Sequence, residues 1–433
     1  MRKTPTFDGK DVQDPDTLNA LGAKLADLIS LRRDSLIRAA RTDLAFTEEA
    51  ANAEVDLTIS HLRNIRNVHR WVRGYAPICR PEQFVSLMMP YNCVAWPIWD
   101  AACVAAAGNR VRVRMSSRAG NLCQIVDSIL QEALPGTAAV SEDAGAKFID
   151  DAFDSDASPL LIAYGSERTG EQLLSRSQAN PGIKVVFEGP GKDPVIVMHG
   201  SDPDRVAAQI TQSKLEYSGQ QCISPEILLV DRRLHDALVE RIVRRFESVV
   251  VGDPSDPATE VGPMGSPRVP LIIQEQLVDA IARGATFACG GKVDGSWVQP
   301  TVVVGVSPAM SVFQEESFGP VLAVASFSDS EEAHALAGAT RFGLHCTIHG
   351  EGATALAASL VGSPYAAPVE SITFGKFGTT SIDGPLSFDV ADGFRPYGGF
   401  GKSGWISSSG RLLQGPKLFA REATRPVARA PAD

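Results

Sequence analysis

The middle of the chain alternates short apolar runs with stretches of helical length, and that rhythm constrains the fold more than any other feature. Residues 111–115, 160–164, 184–187 and 195–198 have strand character, and residues 120–133, 169–177 and 204–214 carry helical spacing between them. Consecutive strands separated by helices are joined by right-handed crossovers into a mostly parallel sheet. The rhythm then repeats. Residues 227–230 read as a strand and 234–249 as a helix with Leu234, Leu238, Ile242 and Phe246 inward, closed by a turn at Gly252-Asp253-Pro254. A second α/β lobe is therefore expected to begin near Gly189.

Upstream, Leu18, Leu21, Leu25, Leu28 and Ile29 recur at steps of three and four behind Pro15 and predict a helix over 14–38. Val55, Ile59, Leu62, Ile65 and Val72 predict another over 54–73. Its far side would carry Arg63, Arg66, Arg70 and Arg73 as one basic row, either a solvated face or a contact for an anionic ligand. The tail RPVARAPAD reads as an arm or frayed end. A length of 433 residues suggests two to three domains at roughly 150 residues each.

Composition excludes some functions. With 41 basic against 51 acidic residues there is no cationic field to gather phosphates, which argues against a nucleic-acid partner. No apolar run reaches the roughly 18 residues of a membrane span, and the polar start does not read as a signal peptide. No membrane partner is expected, and a cytoplasmic location is. Seven cysteines lie scattered without a CxxC pair, which suits a reducing compartment and offers neither a disulfide framework nor a metal site.

Three windows carry possible chemistry. Ser218-Gly219-Gln220-Gln221-Cys222-Ile223-Ser224 brings a small, polar approach to a cysteine, as a thiolate nucleophile needs, although a lone cysteine also fits as a small core residue. Glu188 leaves an apolar strand into Gly189-Pro190-Gly191, where an α/β sheet presents ligands; it fits a general base or a solvated turn acid. Gly165-Ser166 precede a helix whose free amides would suit a phosphate, but the run is neither GxGxxG nor a Walker loop.

Taken in order, the segments from about Pro90 to about Glu422 resemble the aldehyde dehydrogenase superfamily. Pro90-Tyr91-Asn92 resembles its Pro-aromatic-Asn element, Phe187-Glu188 with Gly191-Lys192 and Pro194 its general-base turn, and Gly219-Gln220-Gln221-Cys222 its nucleophile segment. Glu188 and Cys222 stand 34 residues apart, as in that family. Val251-Gly252-Asp253-Pro254 with Val261-Gly262-Pro263-Met264, then Glu315-Glu316-Ser317-Phe318-Gly319-Pro320, then Phe342-Gly343-Leu344, and finally Pro396-Tyr397-Gly398-Gly399 with Lys402-Ser403-Gly404, complete the series.

The resemblance implies an α/β protein of two Rossmann-like parallel-sheet lobes with a small oligomerisation arm. It implies a dinucleotide-binding domain over 1–74 and 90–188, a catalytic domain over 189–415, bridging segments over 75–89 and 416–433, and a homodimer or homotetramer. It further implies NAD(P)-dependent oxidation of an aldehyde to the acid. Cys222 would be the nucleophile, Asn92 an oxyanion donor and Glu188 the base that activates water. Glu316 would hold the nicotinamide ribose with Phe318 beside it, and Gly165 and Ser166 would face the pyrophosphate. A CoA-acylating relative would dispense with Glu188, and an inactive one would be expected to lose more of Asn92, Glu188, Cys222 and Glu316.

Departures point to specificity. Arg114 stands where the family has an adenosine-ribose lysine, and Ser117 where it has a ribose glutamate. Losing that carboxylate removes repulsion against a 2'-phosphate, and Arg114 or Arg118 is placed to pair with one, so NADP is expected to serve at least as well as NAD. Trp96 and Trp99 are expected either to line the substrate tunnel or to pack in the core, Pro190 and Asp193 are unusual after Glu188, and Glu226 sits where the family often has Arg.

Overall fold

A computed structural model describes residues 12–75, 79–154, 159–361, 376–384, 398–415 and 419–426. Two seven-stranded sheets organise them. The first runs Arg411–Leu413, Gly404–Ser408, Lys184–Glu188, Leu160–Tyr164, Phe84–Met88, Arg110–Arg114, Ala138–Val140. The strands between Phe84 and Glu188 are mutually parallel. Numbered along the chain they lie in the order 3-2-1-4-5, which reverses direction between Phe84–Met88 and Leu160–Tyr164. Ligands of doubly wound sheets bind beyond the carboxyl ends of the strands at such a switch point. Here those ends lead into Pro90-Tyr91-Asn92 and Gly165-Ser166.

The second sheet runs Thr379–Ile382, His345–His349, Asp193–Val197, Pro225–Asp231, Val321–Phe327, Thr301–Val304, Thr286–Cys289, parallel except at the last edge. All seven residues of Pro225–Asp231 are buried because that strand is covered on both faces, which is why Ile227–Val230 at its centre is a continuous apolar run rather than an alternation.

Two boundaries differ from the expected division. Phe84–Met88, expected in a bridging segment, is the middle one of the five parallel strands of the first sheet, paired on both sides with Val85 and Leu87 fully buried. The strands Gly404–Ser408 and Arg411–Leu413, expected in the catalytic lobe, return to the first sheet, where Gly404 lies opposite Glu188. Of the bridging segments, Cys79–Pro81 and Thr424–Pro426 pair as an antiparallel ribbon. Residues 76–78, 416–418 and 427–433 lie outside the described residues, as do Pro396 and Tyr397.

The N-terminal helices are also more divided than their periodicity suggests. The 14–38 stretch belongs to Pro15–Leu31 and Arg33–Leu44, meeting at Arg32, with Asp14 capping the first through the amides of Asp16 and Thr17. The 54–73 stretch divides between Glu48–Arg63 and Asn67–Tyr75, with a turn at 64–66 whose Asn64 N–H bonds back to His61 O. Arg63 and Arg70 therefore sit on different helices, and the four arginines do not form one helical row.

Candidate active site

The Cys222 segment is reached through three successive left-handed residues, Tyr217, Ser218 and Gly219, with φ of 53°, 58° and 74°. Such backbone persists in non-glycine residues only where its surroundings over-determine it. They do so here: Ser218 Oγ accepts the Gly262 N–H at 2.9 Å, and Gln220 Oε1 accepts the Gly265 N–H at 2.8 Å and the Tyr91 hydroxyl at 3.1 Å. Gly219 lies so close to the Glu315-to-Pro320 element that a Cβ there would stand 2.3 Å from Gly319 O. Asn92 Nδ2 donates to Gln220 O at 2.9 Å, two residues before Cys222. Cys222 itself is half-buried.

Glu188 ends its strand buried, 2% exposed, in register with Tyr164 on one side and Gly404 on the other. The turn that follows is clasped from the C-terminal motif. Gly189 N donates to Ser403 O at 3.1 Å, Ser403 Oγ donates to Pro190 O at 2.7 Å, and Gly343 N donates to Ser403 Oγ at 3.0 Å. Gly191 completes the convergence. Its N–H donates to Glu316 Oε1 at 2.9 Å, and a Cβ on it would lie 2.0 Å from the Cys222 carbonyl oxygen. The Glu188 turn, the Cys222 segment and Glu316 thus meet at one backbone position. Burial, aided by Glu226, pushes the Glu316 carboxyl up to about 8. Phe318 is left-handed at φ 54° and lies edge-on to Tyr91 at 5.9 Å.

Gly165 N donates to Glu188 O at 3.0 Å, and Ser166 caps the helix Glu167–Ala179 by accepting the Thr169 N–H at 3.4 Å. Arg114 ends the strand Arg110–Arg114 half-buried, its Nε buried without a hydrogen-bond partner, the kind of donor an anionic or ribose oxygen satisfies. Ser117 is exposed just beyond, and Arg118 donates to Gly265 O at 2.7 Å. These donors fit a dinucleotide. Among the described residues no group of His, Cys, Asp and Glu suits a metal ion, and no helix is long and apolar enough to cross a membrane.

Residues 14–412 match the model of the family described as the aldehyde dehydrogenase family. The chain belongs to the aldehyde dehydrogenase family. Among curated relatives within that family, a succinate-semialdehyde dehydrogenase [NADP(+)] of Mycolicibacterium paratuberculosis is 34% identical over 285 residues, 61% of this chain and 57% of that protein. One of the same description from Deinococcus radiodurans is 31% identical over 330 residues, 74% of this chain and 68% of that protein. The matched stretch is therefore little more than half of the first relative's length. Aldehyde dehydrogenase C of Pseudomonas syringae, solved as a mutant with NAD+ and octanal, superposes with a TM-score of 0.82 at 23% identity, covering 99% of this chain and 87% of that one. A succinate-semialdehyde dehydrogenase of Burkholderia pseudomallei gives 0.78 at 22% identity, covering 92% and 83%.

Within this aldehyde dehydrogenase fold several residues that organise the site escaped sequence reasoning. Glu54 Oε1 accepts the N–H groups of Val94, Ala95 and Trp96 at 2.6, 2.9 and 2.9 Å, and so pins the start of the helix that follows Asn92. Asp100 accepts the Tyr164 hydroxyl at 2.8 Å beside Glu188's strand. Lys192, Glu226 and Lys214 form a fully buried ion cluster. Trp99 is 4% exposed and both Trp96 and Trp99 pack edge-on against His61, which favours the core reading for Trp99. A cleft of about 300 Å³ lined by Gly170, Leu174, Phe187 and Trp405 opens on Phe187's side of the base strand. Strand neighbours point to opposite faces, so it lies away from Glu188.

Proposed function

We propose that this chain oxidises an aldehyde, specifically a short semialdehyde, to the carboxylic acid, using NADP or NAD. The supporting observation is the meeting of Asn92, the Glu188 turn and Glu316 on the backbone around Cys222. In this reading the Cys222 thiolate attacks the aldehyde carbon. The oxygen that gains charge is held by the Cys222 N–H and by the remaining Nδ2 hydrogen of Asn92, whose other hydrogen already serves Gln220 O.

NAD(P), when bound, would supply the oxidising power that no side chain has, as the hydride acceptor. Glu188 then takes a proton from the water that attacks the thioester on Cys222, and the acid leaves. Burial of Glu188 keeps this base away from bulk solvent until substrate and water are in place. Glu316 and Phe318 would hold the nicotinamide end, Gly165 and Ser166 the pyrophosphate, and Arg114 with Ser117 the adenosine ribose.

The Mycolicibacterium and Deinococcus relatives, described as NADP(+) succinate-semialdehyde dehydrogenases, support both a semialdehyde and NADP. Arg114 beside Ser117 supports NADP in the same sense, because a cation is present and a carboxylate is not. We further assign a cytoplasmic homodimer or homotetramer, which light scattering of the purified protein tests. The activity is tested by initial rates with succinate semialdehyde and with aliphatic and aromatic aldehydes, each with NADP and NAD. The expected result is highest kcat/KM for the semialdehyde with NADP. A value more than about tenfold better with NAD, about 1.4 kcal/mol, would overturn the cofactor assignment, and a flat aldehyde profile the substrate assignment.

A further inference from the structure

Glu226 lies four residues after Cys222, 1% exposed, and both its oxygens are doubly engaged. Oε2 accepts Lys192 Nζ at 2.8 Å and the Ser317 N–H at 3.0 Å; Oε1 accepts Lys214 Nζ at 3.1 Å and the Phe318 N–H at 3.3 Å. The two lysine side chains are fully buried. Lys192 also reaches Ser317 Oγ at 3.4 Å, which donates to Gln276 Oε1 at 2.8 Å, while Gln276 Nε2 donates to Glu316 O at 3.1 Å. Burial alone would raise the Glu226 carboxyl, but Lys192 and Lys214 more than offset it and hold it down at about 2.

A buried ion cluster is a poor way to gain stability, since apolar residues of equal volume do as well or better. Its product here is geometric. Successive N–H groups converging on one anion form a nest, and the nest at Ser317-Phe318 is filled by Glu226. That fixes the left-handed turn at Phe318, and with it the side chains on either side of Ser317: Glu316, bonded to Gly191, and Phe318, set against Tyr91. Lys192, next to Gly191, carries the same constraint into the base turn.

We propose that Glu226 is a positioning residue for the cofactor: through the Ser317-Phe318 nest and Lys192 it sets where Glu316 and Phe318 stand relative to Cys222. It touches neither substrate nor cofactor, and the role rests on the NAD(P) reading above.

The test uses the full-length enzyme with NADP and NAD as probes, measuring cofactor Kd by fluorescence quenching, the pre-steady-state burst of reduced cofactor, steady-state KM values and thermal midpoints. Three variants separate positioning from mere stability. Lys214→Met keeps the nest filled and Lys192 paired, and cofactor Kd is expected within about twofold of wild type, since an ordered nest needs only its anion. The double variant Glu226→Gln with Lys214→Met removes the anion and one of the stranded lysines. Glu226→Asp keeps a charge for the lysines but is one methylene short of reaching both amides. Both are expected to weaken cofactor binding about tenfold and to slow the burst by up to about 100-fold, the scale of a 1 Å misplacement, with aldehyde KM little changed. Folded variants with cofactor Kd and burst rate within about threefold of wild type would overturn the positioning role. So would a Lys214→Met effect as large as that of Glu226→Asp, which would mark the cluster as structural. Wild-type protein that binds neither cofactor would instead overturn the functional reading, and this role with it.

Discussion

Replacing Gly191 by Ala puts one methyl group into the point where the Glu188 turn, the proposed nucleophile Cys222 and Glu316 meet. The new Cβ would stand 2.0 Å from the Cys222 carbonyl oxygen, 3.2 Å from the Cys222 carbonyl carbon and 3.1 Å from Asp193 Oδ1, whereas real Cβ contacts essentially never fall under 3.0 Å. Relief therefore needs a shift of roughly 1 Å (3.0 − 2.0) between two backbone segments, because the nearest obstacle is main chain and has no rotamer to change. The backbone of Gly191 is not left-handed, so the clash, and not conformational strain, is the whole perturbation. A displacement of about 1 Å at reacting groups costs about 100-fold in rate, or about 2.7 kcal/mol of barrier. Overpacking adds about 1–3 kcal/mol of destabilisation. Rapid-mixing measurements of the reduced-cofactor burst, alongside circular dichroism and thermal melts, should show a folded protein with a slower burst. Cofactor affinity should fall too, because the Gly191 N–H also holds Glu316. Kinetics within threefold of wild type in a folded protein would refute the proposed convergence.

Other substitutions have effects that follow from single contacts. Glu54→Ala leaves three amides at the start of the Trp96–Ala106 helix without their shared acceptor; a loss of about 3 kcal/mol in denaturant titrations is expected, together with lower kcat through Asn92, and Glu54→Gln should recover part of both. Burial pushes Asp100 up to about 7 against its hydrogen bond from Tyr164. The unfolded chain gives up that proton near pH 4, so folding stability falls as pH rises from about 4 to about 7, by a sum on the order of 4 kcal/mol. Asp100→Asn should match wild type at pH 4 and exceed it at pH 8, and equal stabilities at pH 8 would count against the assignment. Gly338 closes the helix Ser330–Gly338 with nothing within 4 Å of an added Cβ and no left-handed φ, so Gly338→Ala should stabilise by about 0.5–1 kcal/mol without touching kinetics.

What the residues revealed in advance depended on how local the determining physics is. The strand at 160–164 and the helix at 120–133 were legible because periodicity and turn chemistry decide them within a dozen residues. The segments carrying Cys222, Glu188 and Asn92 stood out as an ordered series of short motifs, and the structure brings them together. Phe84–Met88 was not legible, because a five-residue run becomes the middle parallel strand only through partners at Arg110–Arg114 and Leu160–Tyr164. Gly404–Ser408 joins the first sheet from more than 200 residues away in sequence, a pairing no local pattern encodes. Lys192 was legible as part of the turn after Glu188 and Glu226 as a departure from the family, but side chains of this kind are almost never buried unless paired, and their pairing with Lys214 is visible only in three dimensions. Gly191 reads as half of a turn; its closeness to the Cys222 carbonyl belongs to the parallel pairing of Asp193–Val197 with Pro225–Asp231.

The central claim is that Cys222 carries the acyl group and Glu188 brings the water. Intact-protein and peptide mass spectrometry of Glu188→Gln, quenched after mixing with succinate semialdehyde and NADP, addresses both at once. The expected result is an acyl adduct mapped to Cys222 that persists in Glu188→Gln, turns over in wild type and is absent from Cys222→Ala. An adduct on another residue, or reduced-cofactor formation by Cys222→Ala at the wild-type rate, would contradict it.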